Sequence, residues 1–372
     1  MTAHRFLEPL DVLILRGNRL FGDAGSYGES LVPPWPSVAA GAIRSQMLAA
    51  EGIDLSAFAT GKAPHPQLGT PEQPGSFTVS AFTLARHAGE DVESLHPLPA
   101  DLVATRGDTG VELDWLRPAS PASGISSSAP LPFSPVLTTD APAKPEAGVW
   151  LTQSGWQQYL NGELPAIEAR LAAGSLWQLD PRVGVGLDPE KGRAEDGKLF
   201  TVQAVAFQPG HGFLVAIEGA NPPGDGSLRL GGDGRGAAVS ACDYSAPEPD
   251  YEAIARAGRA RLILTSPGLF PGGWRLPGSD ADHRISLGDV TGRLVCAAVP
   301  RAEVISGWDL AAWRPKSAQR VAPVGSVYWL EELQGSADEL RKLAAVGLWP
   351  DEGYDAQRCA EGFNRFTWGV WT

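Results

Sequence analysis

With 372 residues, 43% hydrophobic and 20% charged, the chain can bury a core and exceeds one average domain, so disorder is excluded and two packed units are expected. Its formal net charge of −13 has the wrong sign for general attraction to phosphate; any nucleic acid must lie in a local groove, since screening confines the field to roughly 10 Å at about 0.1 M salt. Cys242, Cys296 and Cys359 lie far apart without a C-x-x-C pair, which argues against a disulfide scaffold or a zinc site, and the lack of an apolar run of about eighteen residues or of an export-type start points to a cytoplasmic chain without membrane contact.

Phe6 to Leu15 alternates and then runs apolar through Val12, Leu13, Ile14 and Leu15, which predicts a buried first strand. A polar, Gly-rich loop follows from Gly22 to Ser30. Pro33-Pro34-Trp35-Pro36 then stops any strand and sets up a helix over Val38 to Ala50 with Ser37 as its cap. Ala39, Ile43, Met47 and Ala50 form the stripe that faces the core. Ser37, Gly41 and Arg44 form another stripe, lining up a hydroxyl, bare backbone and a guanidinium at a helix N-terminus, an end that attracts phosphate.

Phe77 to Arg86 and Leu102 to Arg106 read as a hairpin joined through the acidic turn at Gly89-Glu90-Asp91. Pro118 to Gly148 is Pro- and Ser-rich with little periodicity and reads as a long surface loop. A short helix is expected over Gly155 to Glu163. Arg182 to Leu187 and Leu199 to Phe207 then flank a charged, Gly-rich tip at Asp188 to Gly197, the pattern of a long protruding hairpin. Strands at Phe213 to Glu218 and Leu228 to Leu230 precede Gly231-Gly232-Asp233-Gly234-Arg235-Gly236. That stretch lacks the Lys-Ser/Thr of a phosphate-binding P-loop, so it reads as a tight turn between strands that carries Arg235.

The last third repeats the opening theme: a strand at Ala260 to Ser266, a Gly-rich turn at Pro271 to Arg275, strands at Leu294 to Val304 and Ser326 to Glu331, a helix at Ala337 to Val346 and a closing strand at Phe363 to Trp371. Ser336 and Glu339 have capping-box spacing, and Gly347 ends the helix. The pattern predicts an α+β chain of two ferredoxin-like (RRM-type) domains: residues 1–245, with a loop insertion at 115–150 and the hairpin at 180–207, and residues 246–372.

The basic residues are 24 arginines and 6 lysines, a bias toward the planar guanidinium that donates in pairs to phosphate and stacks on bases. Trp274 fits either base stacking or core filling. Some of the twelve tryptophans are expected at subunit contacts. The histidines are scattered, and only His4 could serve as a general base for RNA cleavage; as a terminal residue it is expected to fray. Glu8 and Asp11, three apart on a strand, point to opposite faces and cannot converge on a metal. No H-E-x-x-H or G-x-S-x-G pattern occurs, so no catalysis and no cofactor are expected.

Leu7 to Asp11, Arg16 to Gly22, Pro33-Pro34, Ala40 to Arg44, Arg182 to Gly186 with Gly197 to Phe200, Leu230 to Arg235, Pro323 to Tyr328 and Glu361 to Asn364 together, in this order, resemble the third-subunit family of the type III-B CRISPR Cmr complex, within the RAMP superfamily. The resemblance implies binding of the repeat-derived 5′ tag of the guide crRNA and docking against the large polymerase-like Cmr subunit and the first backbone subunit. It leaves open a nucleotide at the large-subunit interface. It also makes the hairpin from Arg182 to Phe200 a thumb that reaches over the guide. The candidate RNA contacts are then Arg16, Arg19, Ser37, Gly41, Arg44, Arg182, Arg235, Trp274, Arg275, Arg320 and Asn364. Two other readings stand beside this one: a metal-independent endoribonuclease on the same fold, and a protein scaffold that never touches RNA.

Overall fold

In the computed structural model the described residues are 2–17, 26–107, 110–121, 124, 128–139, 144–188, 190–309, 314–350 and 353–372. The chain is mixed α+β and divides into two units, each assembled from separated stretches of sequence. One consists of Met1–Val92, Ala173–Asp243 and Val304–Gln319, the other of Glu93–Ala172, Tyr244–Glu303 and Arg320–Thr372.

The first unit is built on β1 (Ala3–Pro9), α1 (Pro36–Ala50), β2 (Thr78–Ala88), β3 (His211–Glu218), β4 (Asp225–Arg229) and β5 (Gly236–Ala241). The strands lie antiparallel in the order β4-β5-β1-β3-β2, with Phe6 opposite Leu214 and Leu7 opposite Val239. Five successive apolar residues of β3, Phe213 to Ile217, are buried, the signature of a strand covered on both faces. Gly212 lets β1 approach, because a Cβ there would stand 2.1 Å from the Leu7 carbonyl oxygen.

The expected strand over Phe6 to Leu15 is broken after Pro9, which has no N–H to give to a ladder. Val12 to Leu15 remain buried on a different partner, Leu13 exchanging backbone hydrogen bonds with Val205 at 2.9 and 2.8 Å. α1 begins two residues earlier than expected. Trp35 is the extended flanking residue and Pro36 occupies the first helical position, where its missing N–H costs nothing, so Ser37 lies inside the first turn and is not the cap. Ala39, Ile43 and Met47 face the core, whereas Ala50 is exposed.

β2 also differs from expectation. It pairs with β3, Phe82 opposite Val215, and not with Leu102 to Arg106, whose partner is Gly110–Ala119. The long hairpin joins Trp177–Leu187 to Ala194–Phe207 in an unbroken register from Trp177 opposite Phe207 to Val185 opposite Leu199, with a shift before Leu187. Gly184 is required beneath Phe200, since a Cβ would stand 2.5 Å from that ring. Leu179, Val183, Val185 and Leu187, all on one face, are exposed, Val183 by 70%.

The second unit is built on α2 (Tyr251–Ala257), β6 (Ala260–Leu264), β7 (Arg284–Leu287), β8 (Val290–Ala298), β9 (Val327–Gln334), α3 (Ala337–Val346) and β10 (Phe366–Gly369), with antiparallel strands in the order β7-β8-β9-β6-β10. Every residue of β6 is buried. On one face Leu262, Leu264, Tyr328, Leu330 and Trp368 pack with Ile254 and Leu340 of the helices. On the other, Ile263, Val327 and Trp329 pack with Val149, Trp156 and Tyr159. The predicted capping box of α3 is formed: the Glu339 N–H donates to Ser336 Oγ (3.3 Å) and the Ser336 N–H to Glu339 Oε2 (2.7 Å).

Buried beneath that second face, Arg261 donates to Asp101 Oδ2 (2.8 Å), to the Tyr159 carbonyl (2.6 Å) and to the Val370 carbonyl (3.0 Å), while the Tyr159 hydroxyl donates to Asp101 Oδ1 (2.7 Å). Burial, reinforced by the Asp101 charge, pushes the Tyr159 hydroxyl well above its ordinary pKa. His96 stacks on Trp156 with 4.4 Å between ring centroids, and its desolvation lowers the imidazole to about 3.

Within 118–148, expected to be a surface loop, Ser134–Leu137 pairs with the end of Gly110–Ala119, and the Phe133 N–H donates to the Val295 carbonyl at 3.0 Å. The strand expected over Leu294 to Val304 stops at Ala298, ahead of Pro300. The closing strand starts at Phe366 because Asn364, at φ 59°, turns the chain first.

Candidate nucleic-acid interface

In the first unit the Gly231–Gly236 turn is pinned to the buried Val12–Leu15 segment. The Gly232 N–H donates to the Ile14 carbonyl (2.8 Å), and the Leu230 N–H donates to the Arg235 carbonyl (2.8 Å), which closes the turn. Gly231 sits at φ 78°, and a Cβ there would stand 2.7 Å from Ile14 O. Asp233 and Gly234 are also left-handed, at φ 56° and 66°.

Two arginines far apart in sequence meet on this turn. Arg16, at the end of the buried segment, lies 3.4 Å from Asp233, and Arg235 lies 2.9 Å from Asp11. Both pairs are open to solvent: the side chains are 44% and 55% exposed in the first, 29% and 62% in the second. Arg235 Nε is enclosed and has no acceptor among the described residues. The base of the long hairpin adjoins the same place, for Arg16 bridges Ser30, Ser30 Oγ donates to the Gln203 carbonyl, and the Ser30 N–H donates to Gln203 Oε1 at 3.0 Å.

The chain leading to α1 passes close by, with the Leu31 N–H donating to the Leu15 carbonyl at 2.8 Å. No side chain caps α1, and the buried indole N–H of Trp35 has no acceptor among the described residues. Ser37 is half-buried, Gly41 is exposed with open space where a Cβ would be, and the Arg44 guanidinium lies 5.0 Å from the Phe77 ring centroid. Arg182 is exposed on the hairpin and pairs with Asp180 of the same strand face at 2.9 Å. Arg19 falls outside the described residues.

The remaining candidates belong to the second unit. Trp274 is half-buried against the core, its carbonyl accepting from the Tyr328 hydroxyl at 2.7 Å, and Arg275 beside it is exposed. Trp274 and Arg320 line a groove of about 400 Å³ whose other walls are mostly apolar, including Leu131, Phe133 and Val299. Asn364 is not placed to touch RNA. It is buried, its Oδ1 accepts from the Leu269 N–H, and its Nδ2 donates to the Leu348 and Leu269 carbonyls at 3.0 and 3.3 Å, so the whole amide is used to tie loops together.

His4 is not a frayed terminus. It lies within β1 opposite Ala216, and burial, with the neighbouring Arg5 charge, lowers its pKa. Glu8 accepts from the Gly210 N–H at 3.0 Å and Asp11 holds Arg235, so these two carboxylates do not converge. One acidic pair that sequence inspection passes over, Asp280-Ala281-Asp282, forms a turn: Asp280 Oδ1 accepts from the Asp282 and Arg284 N–H groups, both at 2.9 Å. Among the described residues no three His, Cys, Asp or Glu side chains gather where they could hold a metal ion.

The chain is similar to chains of solved structures at low identity. A chain in the cryo-EM structure of the type III-B Cmr-beta bound to cognate target RNA is 14% identical, with 98% of this chain and 96% of that one covered at a TM-score of 0.50. A chain in the same assembly bound to cognate target RNA and AMPPnP is 15% identical, with 95% and 91% covered and a TM-score of 0.48. A chain of the Csm3-Csm4 subcomplex of the type III-A CRISPR-Cas interference complex is 11% identical, with 88% and 92% covered and a TM-score of 0.38. No curated protein matches the chain. The model of a CRISPR-associated protein family, Cas_Cmr3, matches residues 5–371. A match that runs from β1 through β10 leaves no core strand outside it, and the chain therefore belongs to the Cas_Cmr3 family, a RAMP-type subunit of the Cmr system.

Proposed function

We propose that the protein is a non-catalytic subunit of a type III-B CRISPR effector complex that holds the 5′ tag of the guide RNA and docks the large polymerase-like subunit to the first backbone subunit. The observation that carries the RNA reading is the meeting of Arg16 and Arg235 on one glycine turn, each ion-paired with an exposed carboxylate. An exposed pair of this kind is worth about 0–1 kcal/mol, so a phosphate can take the carboxylate's place at small cost and gain paired guanidinium donors. Consecutive left-handed residues at 233 and 234 add backbone N–H groups of the sort that form anion nests. The uncapped start of α1, with Ser37 and Gly41 beside it, adds a favourable dipole end, and Arg44 lies on the same helix.

The long hairpin is read as the thumb. Its exposed aliphatic face is suited to wedge beside an unstacked base while Arg182 reaches backbone phosphate. Each unit's core is read as ferredoxin-like. The orders β5-β1-β3-β2 and β10-β6-β9-β8 both place the strands fourth, first, third, second in sequence, and each core keeps one crossing helix, α1 or α3. Membership of the Cas_Cmr3 family supports the role in the complex.

The test is guide retention. Complexes purified with Arg235→Glu or with Arg182→Glu are expected to lose guide RNA while the thermal unfolding of the subunit is unchanged. Full guide occupancy in both would remove the RNA-binding reading.

A further inference from the structure

The groove of the second unit suits a different occupant from the arginine turn. Pro130, Leu131, Phe133, Trp274, Val299 and Arg320 are among its walls, and Arg320 is the single charged residue among the described residues of its lining. At about 400 Å³ it falls within the size range of sites that bind ligands. Its walls are fixed by backbone bonds. Phe133 is held to Val295, and Ala322 exchanges hydrogen bonds with Gly268 at 2.9 and 2.8 Å. The floor is fixed by the Tyr328 hydroxyl bond to the Trp274 carbonyl. An occupant therefore meets a surface that needs little ordering, which favours affinity.

RNA is poorly matched to this lining. A nucleotide strand needs repeated cationic contacts along its phosphates, and one guanidinium among aliphatic and proline side chains does not supply them. The Arg320 guanidinium has no hydrogen-bond or ion-pair partner among the described residues, and no carboxylate lines the groove to neutralise it. The unmatched charge asks for one anionic group, and the rest of the surface asks for apolar side chains.

We propose that this groove is a docking slot for a short apolar peptide segment carrying one Asp or Glu, supplied by another protein, with the aliphatic side chains against Phe133 and Trp274 and the carboxylate on Arg320. The assignment moves Trp274 and Arg320 from the RNA surface to a protein contact and is independent of the Arg16 and Arg235 site.

The test is selection of phage-displayed random dodecapeptides on the full-length chain, followed by affinity measurement of the best synthetic peptide. Selected sequences are expected to join aliphatic residues to a single acidic one. Arg320→Glu is expected to weaken that peptide about tenfold, in line with a charged pair at an interface, and exchanging the peptide's acid for Lys is expected to restore binding to Arg320→Glu. Ala302→Trp, a substitution at an exposed position on the rim, fills the groove and is expected to abolish binding without disturbing the core. The proposal is overturned if no peptide is selected, if selected peptides bind Ala302→Trp and Arg320→Glu as they bind the unaltered chain, or if guide RNA in the assembled complex crosslinks to Trp274.

Discussion

The two carboxylates at the arginine turn give the sharpest test of the RNA reading, because they should oppose the function of the arginines they hold. Asp233 faces Arg16 at 3.4 Å and Asp11 faces Arg235 at 2.9 Å, both in solvent. A unit charge about 4 Å from a phosphate in a water-like dielectric costs about 1 kcal/mol. Asp233→Asn and Asp11→Asn should therefore each tighten tag binding roughly fivefold, since 1.4 kcal/mol is a factor of ten. Asn also tolerates the left-handed conformation at 233, so the turn should survive. Arg16→Gln and Arg235→Gln should each reduce the slope of log affinity against log salt by about 0.7, the value for one phosphate contact on a single strand. Fluorescence anisotropy of labelled guide RNA, titrated with complex containing each variant at several salt concentrations, reads both effects. Weaker tag binding in the Asn variants, or an unaltered salt slope in the Gln variants, would refute the reasoning.

Other expectations concern the second unit. Asp101→Leu leaves Arg261 buried without its carboxylate and should cost about 3–5 kcal/mol in urea denaturation, as removing one partner of a buried pair does. His96, held neutral down to about pH 3 when folded, takes a proton at ordinary histidine pH once unfolded. Stability from this residue is thus complete above about pH 6.5 and is lost as pH falls toward 3; the pH dependence of the denaturation midpoint should flatten in His96→Phe. Asn364→Gly keeps the left-handed backbone but strands the Leu269 N–H and Leu348 carbonyl, so it should destabilise by about 1–3 kcal/mol per stranded group while leaving guide affinity unchanged.

Local signals are legible in the sequence, and distant pairings are not. The capping box at Ser336 and Glu339 and the stop at Gly347 lie within a dozen residues of one another, so sequence alone states them fully. The hairpin at 177–207 is likewise a neighbour pairing. The strand expected after the acidic turn at Leu102 to Arg106 is preceded by Asp91–Pro97, which follows the turn directly, and the pairing of β2 with β3, more than a hundred residues away, is not encoded in Phe77 to Arg86. Ser37 looked like a cap because Ser is a good one, but Pro36 had already set the first helical turn. At the candidate site, Arg16 and Arg235 could each be suspected, yet their meeting depends on Gly232 docking on Ile14, a tertiary contact. Asn364 serves the fold. Its backbone angle and three amide bonds explain its presence without any ligand.

The interleaving of the two units bears on how the chain comes off the ribosome. β1 finds its neighbours only once β3 and β5, more than two hundred residues downstream, have been made, and β6 lacks one flank until Phe366–Gly369 follow a further hundred residues later. Neither sheet can close early, and such long-range pairing folds slowly and leaves strand edges open to other chains meanwhile. Nascent chains should therefore depend on chaperone cover through much of translation, and a library of stalled intermediates should show protease-resistant structure arising in two late steps, the first after Ala241 and the second after Gly369.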